Sequence, residues 1–287
     1  MSKVWFITGS SRGLGLALTE AVLETGASVI ATARKPSSLD HLIQKYGAKI
    51  FPVALDVTNN EQVLAAVKAG HEHFGRIDVV VNNAGYADTA SIEDTPLDSY
   101  RAQFDTNYFG VVYVTRAVLP ILRKQGSGYI LNVSSVGGRV GTPGLAAYQS
   151  AKWAVGGFST VLAAEVGPLG IKVTCLEPGG MNTDWAGSSM KVPPVSEPYQ
   201  QTVGAFAAMI RKFNGQAPSS LEKIAGIILK LSELDEVPLR LMVGPDAVHF
   251  GGQAGEALKA SDEKWKELSL SSAEQKEFGG LPGDVKI

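Results

Sequence analysis

The stretch that decides the fold is Val4-Trp5-Phe6-Ile7-Thr8-Gly9-Ser10-Ser11-Arg12-Gly13-Leu14-Gly15. A short apolar run enters a glycine-rich turn, and the turn enters a helical pattern over residues 14–24. A strand that feeds a helix through glycines suits a phosphate: Gly9 permits a tight turn, Gly13 lets backbone approach a pyrophosphate, and Gly15 lets the helix pack closely. The helix then offers unpaired N–H groups to the anion. The spacing G-x3-G-x-G differs from G-x-G-x-x-G, and it lacks the G-K-[ST] ending of a P-loop. A glycine turn with no ligand is the competing reading.

Outward from this turn the rhythm repeats. Apolar runs at 4–8, 28–33, 50–54, 77–81, 129–133, 171–176 and 239–243 alternate with helical patterns at 14–24, 61–73, 99–123, 146–166 and 221–231. Most of the runs are continuously apolar, as strands buried on both faces are. The alternation predicts a doubly wound α/β fold with a seven-stranded, mainly parallel sheet. A length of 287 residues favours two domains at first sight. Strands that continue to Val243 with no linker reduce that to one, spanning 1–250. Residues 182–220, with Pro193-Pro194 and Pro198, interrupt the rhythm and predict a lid. Residues 251–287 predict a helical tail, centred on 256–268, as an extension of the same domain.

Composition excludes several classes. Apolar residues make up 45% and charged residues 19%, so the chain is not a disordered one. A net charge of −2 gives no field that would recruit nucleic acid or an anionic membrane. Glycine, 32 of 287, stands at about 11% against an average of about 7%, without a collagen period. The single cysteine, Cys175, lies in an apolar run and reads as a small buried hydrophobe. With no signal peptide or membrane span legible, the expectation is a cytoplasmic protein. His41, His71, His73 and His249 form no ligand set, and no metal is expected.

The end of the second strand selects the dinucleotide. An acidic residue there would bind a free ribose 2′-OH. Ala33-Arg34-Lys35 stands in its place, and Arg34, with Arg12 across the loop, suits a 2′-phosphate. This favours NADP(H) over NAD(H); two solvated surface arginines are the alternative. Asp56, before Val57, suits an adenine amino group or a helix start, and Asn82-Asn83-Ala84-Gly85 suits packing under adenine and ribose or a plain turn.

The chemical residues come later in the chain. Tyr148 and Lys152, at i and i+4, share a helix face. A free phenol titrates near pH ~10, and an adjacent cation would bring it toward neutrality. Lys152 would also reach the nicotinamide ribose. Ser135 ends the fifth strand and would hydrogen-bond a carbonyl oxygen beside Tyr148, with Ser134 as the rival candidate and a turn or cap as the plain reading. Asn107, inside an apolar helix, implies a kink whose carbonyl holds a water, or a buried hydrogen bond to nearby backbone.

In this order and spacing Thr8–Gly15, Asn82–Gly85, Asn107, Ser135, Tyr148/Lys152 and Pro178-Gly179 resemble the short-chain dehydrogenase/reductase family over residues 3–250, and its ketone reductases and hydroxysteroid dehydrogenases in particular. The resemblance implies a Rossmann fold and a catalytic tetrad of Asn107, Ser135, Tyr148 and Lys152. Tyr148 would move the proton, Ser135 orient the carbonyl, Lys152 lower the Tyr148 pKa and bind ribose, and Asn107 hold a relay water. It also implies cofactor contacts from Gly9, Ser11, Arg12, Gly13, Leu14, Gly15, Arg34, Asp56, Val57, Asn83, Ala84, Gly85, Pro178, Gly179, Met181 and Thr183. The chain departs from the family's Y-x-A-S-K at Gln149-Ser150-Ala151, which keeps the Tyr–Lys spacing. It departs from x-V-x-T at Gly180-Met181-Asn182-Thr183, where Thr183 still aligns and the Met181 side chain is in question.

The loops around this site offer Tyr86, Val136, Val140, Leu145, Met181, Trp185 and Met190, with Arg139 the one cation. Val136, Leu145 and Trp185, beside Ser135 and Tyr148, are the expected substrate contacts. The expected substrate is a hydrophobic ketone or secondary alcohol. An epimerase or dehydratase on the same fold, and a non-catalytic NADP-binding regulator, are the rival readings. The resemblance further suggests a homodimer or homotetramer through the helices near Asn107 and Ala154.

Overall fold

The computed structural model describes residues 2–183, 190–212 and 215–273. Seven strands form one sheet: β1 (Val4–Ile7), β2 (Ser28–Ala33), β3 (Ile50–Ala54), β4 (Val79–Asn82), β5 (Gly128–Val133), β6 (Ile171–Pro178) and β7 (Arg240–Val243). Their order is β3-β2-β1-β4-β5-β6-β7, and every pairing is parallel. The helices are α1 (Gly13–Glu24), α2 (Asp40–Tyr46), α3 (Asn60–Phe74), α4 (Leu97–Phe104), α5 (Gly110–Gln125), α6 (Ala146–Val166), α7 (Ala205–Lys212), α8 (Leu221–Glu233) and α9 (Pro245–Leu270).

Strand period sets the two-sided core. Trp5 and Ile7 face the layer of α1 and α8, with Leu18, Val22, Ile224 and Ile228. Val4 and Phe6 face the layer of α3, α5 and α6, with Val63, Val114, Val118 and Leu162. Each fully buried Leu, Ile or Phe contributes roughly 1.5–3 kcal/mol of transfer free energy. This is the single α/β domain that the continuous apolar runs predict. Cys175 is fully buried on β6.

Strand order reverses between β1 and β4, where open α/β sheets bind ligands at the carboxyl edge. The turns after β1, β4, β5 and β6 all leave that edge, so Gly9, Asn83, Ser135 and Gly179 converge there.

Three segments differ from the sequence reading. The helix expected over 99–123 is two helices joined by a π-helical turn at Asp105–Phe109, which carries Asn107. The segment 182–220, expected to be a lid, contains α7, and its Ser219 bridges back to Met181. The tail helix starts at Pro245 and runs unbroken through Gly251-Gly252; beyond Gly251 almost all of it is exposed. Residues 184–189 and 213–214 of that segment, and 274–287 of the tail, lie outside the described residues.

Candidate active site

Gly9 and Gly13 both have positive φ, 71° and 55°, which favours glycine at each. A Cβ on Gly15 would stand 2.1 Å from the Gly9 carbonyl oxygen, so α1 closes directly onto the turn. Arg12 is the N-cap of α1 and makes no side-chain cap bond, and the first turn holds no acidic residue. The positive end of the helix is thus left without a competing anion. Ser11 flanks this seat half-buried, while the Leu14 side chain belongs to the core.

The β4 end braces the seat. The Thr8 hydroxyl accepts from the Asn83 and Ala84 N–H groups at 2.9 and 3.0 Å, and the Asn83 amide donates to Thr8 O at 2.9 Å. Asn83 therefore has a structural tie in addition to any contact with a nucleotide. Thr183, two residues beyond Met181, lies over the turn: a Cβ on Gly13 would meet its methyl at 3.4 Å. The Met181 side chain packs against the core, which leaves its backbone for a ligand. Gly179 has no room for a Cβ, because the Asp246 carboxylate stands 2.2 Å from that position and accepts from Gly180 N–H at 2.6 Å.

At the adenosine end, Ala33 is buried, whereas Arg34 and Arg12 are exposed. Asp56 does not start a helix. Its carboxylate accepts from the N–H and hydroxyl of Thr58 at 3.0 and 2.8 Å, and Asn59 caps α3 instead. The Val57 side chain is buried against Gly110, which restricts Val57 to backbone contacts with a ligand. A glycine seat, an uncapped helix start and flanking cations fit a dinucleotide.

At the chemical end, Ser135 lies beside the Tyr148 phenol, where its hydroxyl opposes the rise that burial imposes, and it accepts from Gly137 N–H at 3.0 Å, so it is both a turn cap and a neighbour of the phenol. Ser134 is excluded from that role: its hydroxyl is buried and donates to Lys152 O at 3.0 Å. Lys152 Nζ lies 5.6 Å from the Tyr148 ring centre and donates to Val133 O at 2.8 Å. Asn107 is fully buried, and its amide donates to Tyr86 O and Gln103 O, both at 2.8 Å, while its oxygen accepts from Tyr86 N–H at 3.2 Å. Both expectations for Asn107 thus hold in part: the helix is distorted, and the side chain bonds backbone. A Cβ on Gly85 would lie 2.6 Å from Asn107 Oδ1 and 3.5 Å from Lys152 Nζ, which brings these residues to one point.

Electrostatics correct the sequence reading here. Burial pushes the Tyr148 phenol up to about 12, and the Ser135 hydroxyl opposes it only in part. Burial pushes the Lys152 ammonium down to about 8. In the free chain, desolvation outweighs the cation expected to favour the phenolate.

Beside Tyr148 an apolar cluster gathers Ala87, Leu145 and Met190, with Val192, Phe206 and Ile210 packed against it. Val136, half-buried, opens the next turn, and Trp185 lies outside the described residues. Phe206 and Ile210 were not singled out in the sequence, although Val203, Phe206, Ala207 and Ile210 carry helical apolar spacing. Carboxylates pin this segment: Lys191 N–H donates to Asp88 at 3.0 Å, Ser196 N–H to Asp94 at 3.1 Å, and the Tyr199 hydroxyl to Glu93 at 2.6 Å. Arg139 is not open to a substrate anion, because it is engaged by Glu177 at 2.6 Å.

Comparison with known proteins agrees with this geometry. Residues 3–192 match the short chain dehydrogenase family. Oxidoreductase BOA17 of Botryotinia fuckeliana is 67% identical over 95% of this chain and 100% of its own. A 3-ketodihydrosphingosine reductase of Bacteroides thetaiotaomicron is 35% identical over 85% of this chain and 88% of its own. A short-chain dehydrogenase from Streptomyces avermitilis superposes with a TM-score of 0.89 at 34% identity, covering 95% of this chain and 100% of that one. Other solved neighbours are complexes with NADP or with NADH. On the family match, the close relatives and the shared parallel sheet, the chain belongs to the short-chain dehydrogenase family of oxidoreductases.

Proposed function

We propose that the protein is an NADP(H)-dependent oxidoreductase that interconverts a hydrophobic ketone and its secondary alcohol. The observation that carries this is the placing of Ser135 beside the Tyr148 phenol, against the apolar wall of Leu145, Met190 and Phe206. A bound nicotinamide supplies or accepts the hydride at the carbonyl carbon. Tyr148 gives its proton to the carbonyl oxygen during reduction, and a phenol pushed up to about 12 is fully protonated for that role near neutrality. Ser135 holds the oxygen in line, and the apolar wall excludes water and seats the rest of the substrate. Lys152 holds the ribose side, and Asn107 fixes the backbone at Tyr86 on the same floor.

Arg34 and Arg12 support a 2′-phosphate, with Ala33 where a carboxylate would favour NAD(H). The relative named as a 3-ketodihydrosphingosine reductase supports a ketone substrate. Among the described residues no helix is long and apolar enough to cross a membrane. Exposed Phe109, Trp153 and Val161 support a homodimer or homotetramer through α5 and α6, which sedimentation would test. NADPH and NADH consumption across a panel of ketones and aldehydes tests the whole reading. Turnover of apolar ketones with NADPH is expected, and turnover confined to small charged keto acids would overturn it.

A further inference from the structure

Glu177 is fully buried two residues before Gly179 and is bound from two sides. Arg139 donates through Nε to its Oε2 at 2.6 Å. Arg240 donates through Nε to its Oε1 at 2.8 Å and through Nη2 to the same oxygen. Arg240 Nη2 also reaches Gly138 O at 3.4 Å. A Cβ on Gly156 would stand 2.9 Å from that Nη2, so the guanidinium lies directly over α6, one turn beyond Lys152. A Cβ on Gly251 would meet Arg139 Cδ at 3.5 Å, so α9 covers the Arg139 stem.

These contacts meet at the short helical turn Val136–Gly138, which starts at Ser135. Gly137 and Gly138 give that turn little intrinsic stiffness. Its upstream end is Ser135, beside the Tyr148 phenol, and its downstream end is Arg139, which bonds Glu177. A buried carboxylate must keep its cationic partners, since losing one leaves a poorly compensated charge. The cluster ties the turn, α6, β6 and β7 together, and none of its three side chains is needed for proton or hydride transfer.

We propose that Glu177 is a positioning residue: through Arg139 and Arg240 it fixes the Val136–Gly138 turn, and with it the Ser135 hydroxyl. The effect on turnover rests on the role proposed above for Ser135. The test compares Glu177→Gln with Arg139→Met, which cuts the tether at its part-exposed end if the first variant folds poorly. Amide exchange at residues 137–139 should quicken about tenfold in either variant while α1 and β1 keep their rates. With an apolar ketone, kcat should fall about tenfold and the KM for NADPH stay within about twofold. Unchanged exchange at 137–139, or exchange quickened evenly along the chain, overturns the proposal. Quickened local exchange with unchanged kcat upholds the tether and overturns the reading of Ser135.

Discussion

Lys152 Nζ stands 5.6 Å from the centre of the Tyr148 ring, one turn further along α6, and burial drives their two protonation equilibria apart. The Lys152 value falls from 10.5 to about 8, so between those pH values the unfolded chain binds more protons than the folded one. Stability should therefore rise with pH across that window as the cost of the buried ammonium is relieved. Tyr148 acts oppositely: its value rises from 10.0 to about 12, and its contribution is lost as pH rises through that range. Urea melts of the wild type and Lys152→Met from neutral pH to about pH 10 check this, the variant showing the flatter profile.

Arg34→Ala and Arg12→Ala should each weaken NADPH binding about tenfold, as expected for a charge-assisted contact at an exposed site. NADH binding should stay within about twofold, because it carries no 2′-phosphate for these arginines to grip. Fluorescence titration of both nucleotides measures the difference. Equal losses for the two would remove the basis for NADP preference.

Gly15→Ala should destabilise the chain by about 1–3 kcal/mol, because the new methyl meets the Gly9 carbonyl, which the turn cannot easily move. Nucleotide affinity should fall with it. Gly226→Ala, on the exposed face of α8 with nothing within 4 Å of its Cβ, should instead stabilise by about 0.5–1 kcal/mol. Denaturant melts separate the two signs.

Asn107→Ala removes two donors and leaves Gln103 O and Tyr86 O short of partners, with Gln103 buried. A loss of about 1–3 kcal/mol in stability is expected. Turnover should fall too, since the Gly85-Tyr86 backbone loses its anchor, and steady-state rates at saturating NADPH would show it.

What was legible in the sequence is what local chemistry decides. The Val4–Gly15 stretch carries its own strand, turn and helix start, and Tyr148 and Lys152 share a face by helical spacing alone. Non-local contacts were not legible. Ser134 and Ser135 are adjacent at a strand end, and only the approach of Lys152 O consumes one hydroxyl and leaves the other for Tyr148. The phenol's upward shift depends on burial, which spacing does not report. Asp56 was a candidate helix start until Asn59 proved better placed to accept from Gln62 N–H. α7 was obscured by the prolines before it, and α9 by Gly251-Gly252, a pair that weakens the helical signal where Arg139 and Met242 need the space. Arg139 read as an open cation because its partner lies 38 residues away in the chain.

The central claim is that the Tyr148 hydroxyl moves the proton. Single-turnover oxidation of bound NADPH by an apolar ketone, compared between wild type and Tyr148→Phe, tests it most directly. The variant keeps the ring and should bind NADPH within about twofold of wild type, while losing about 10²–10⁴ in rate. A Tyr148→Phe enzyme that reduces the ketone at the wild-type rate would contradict the assignment.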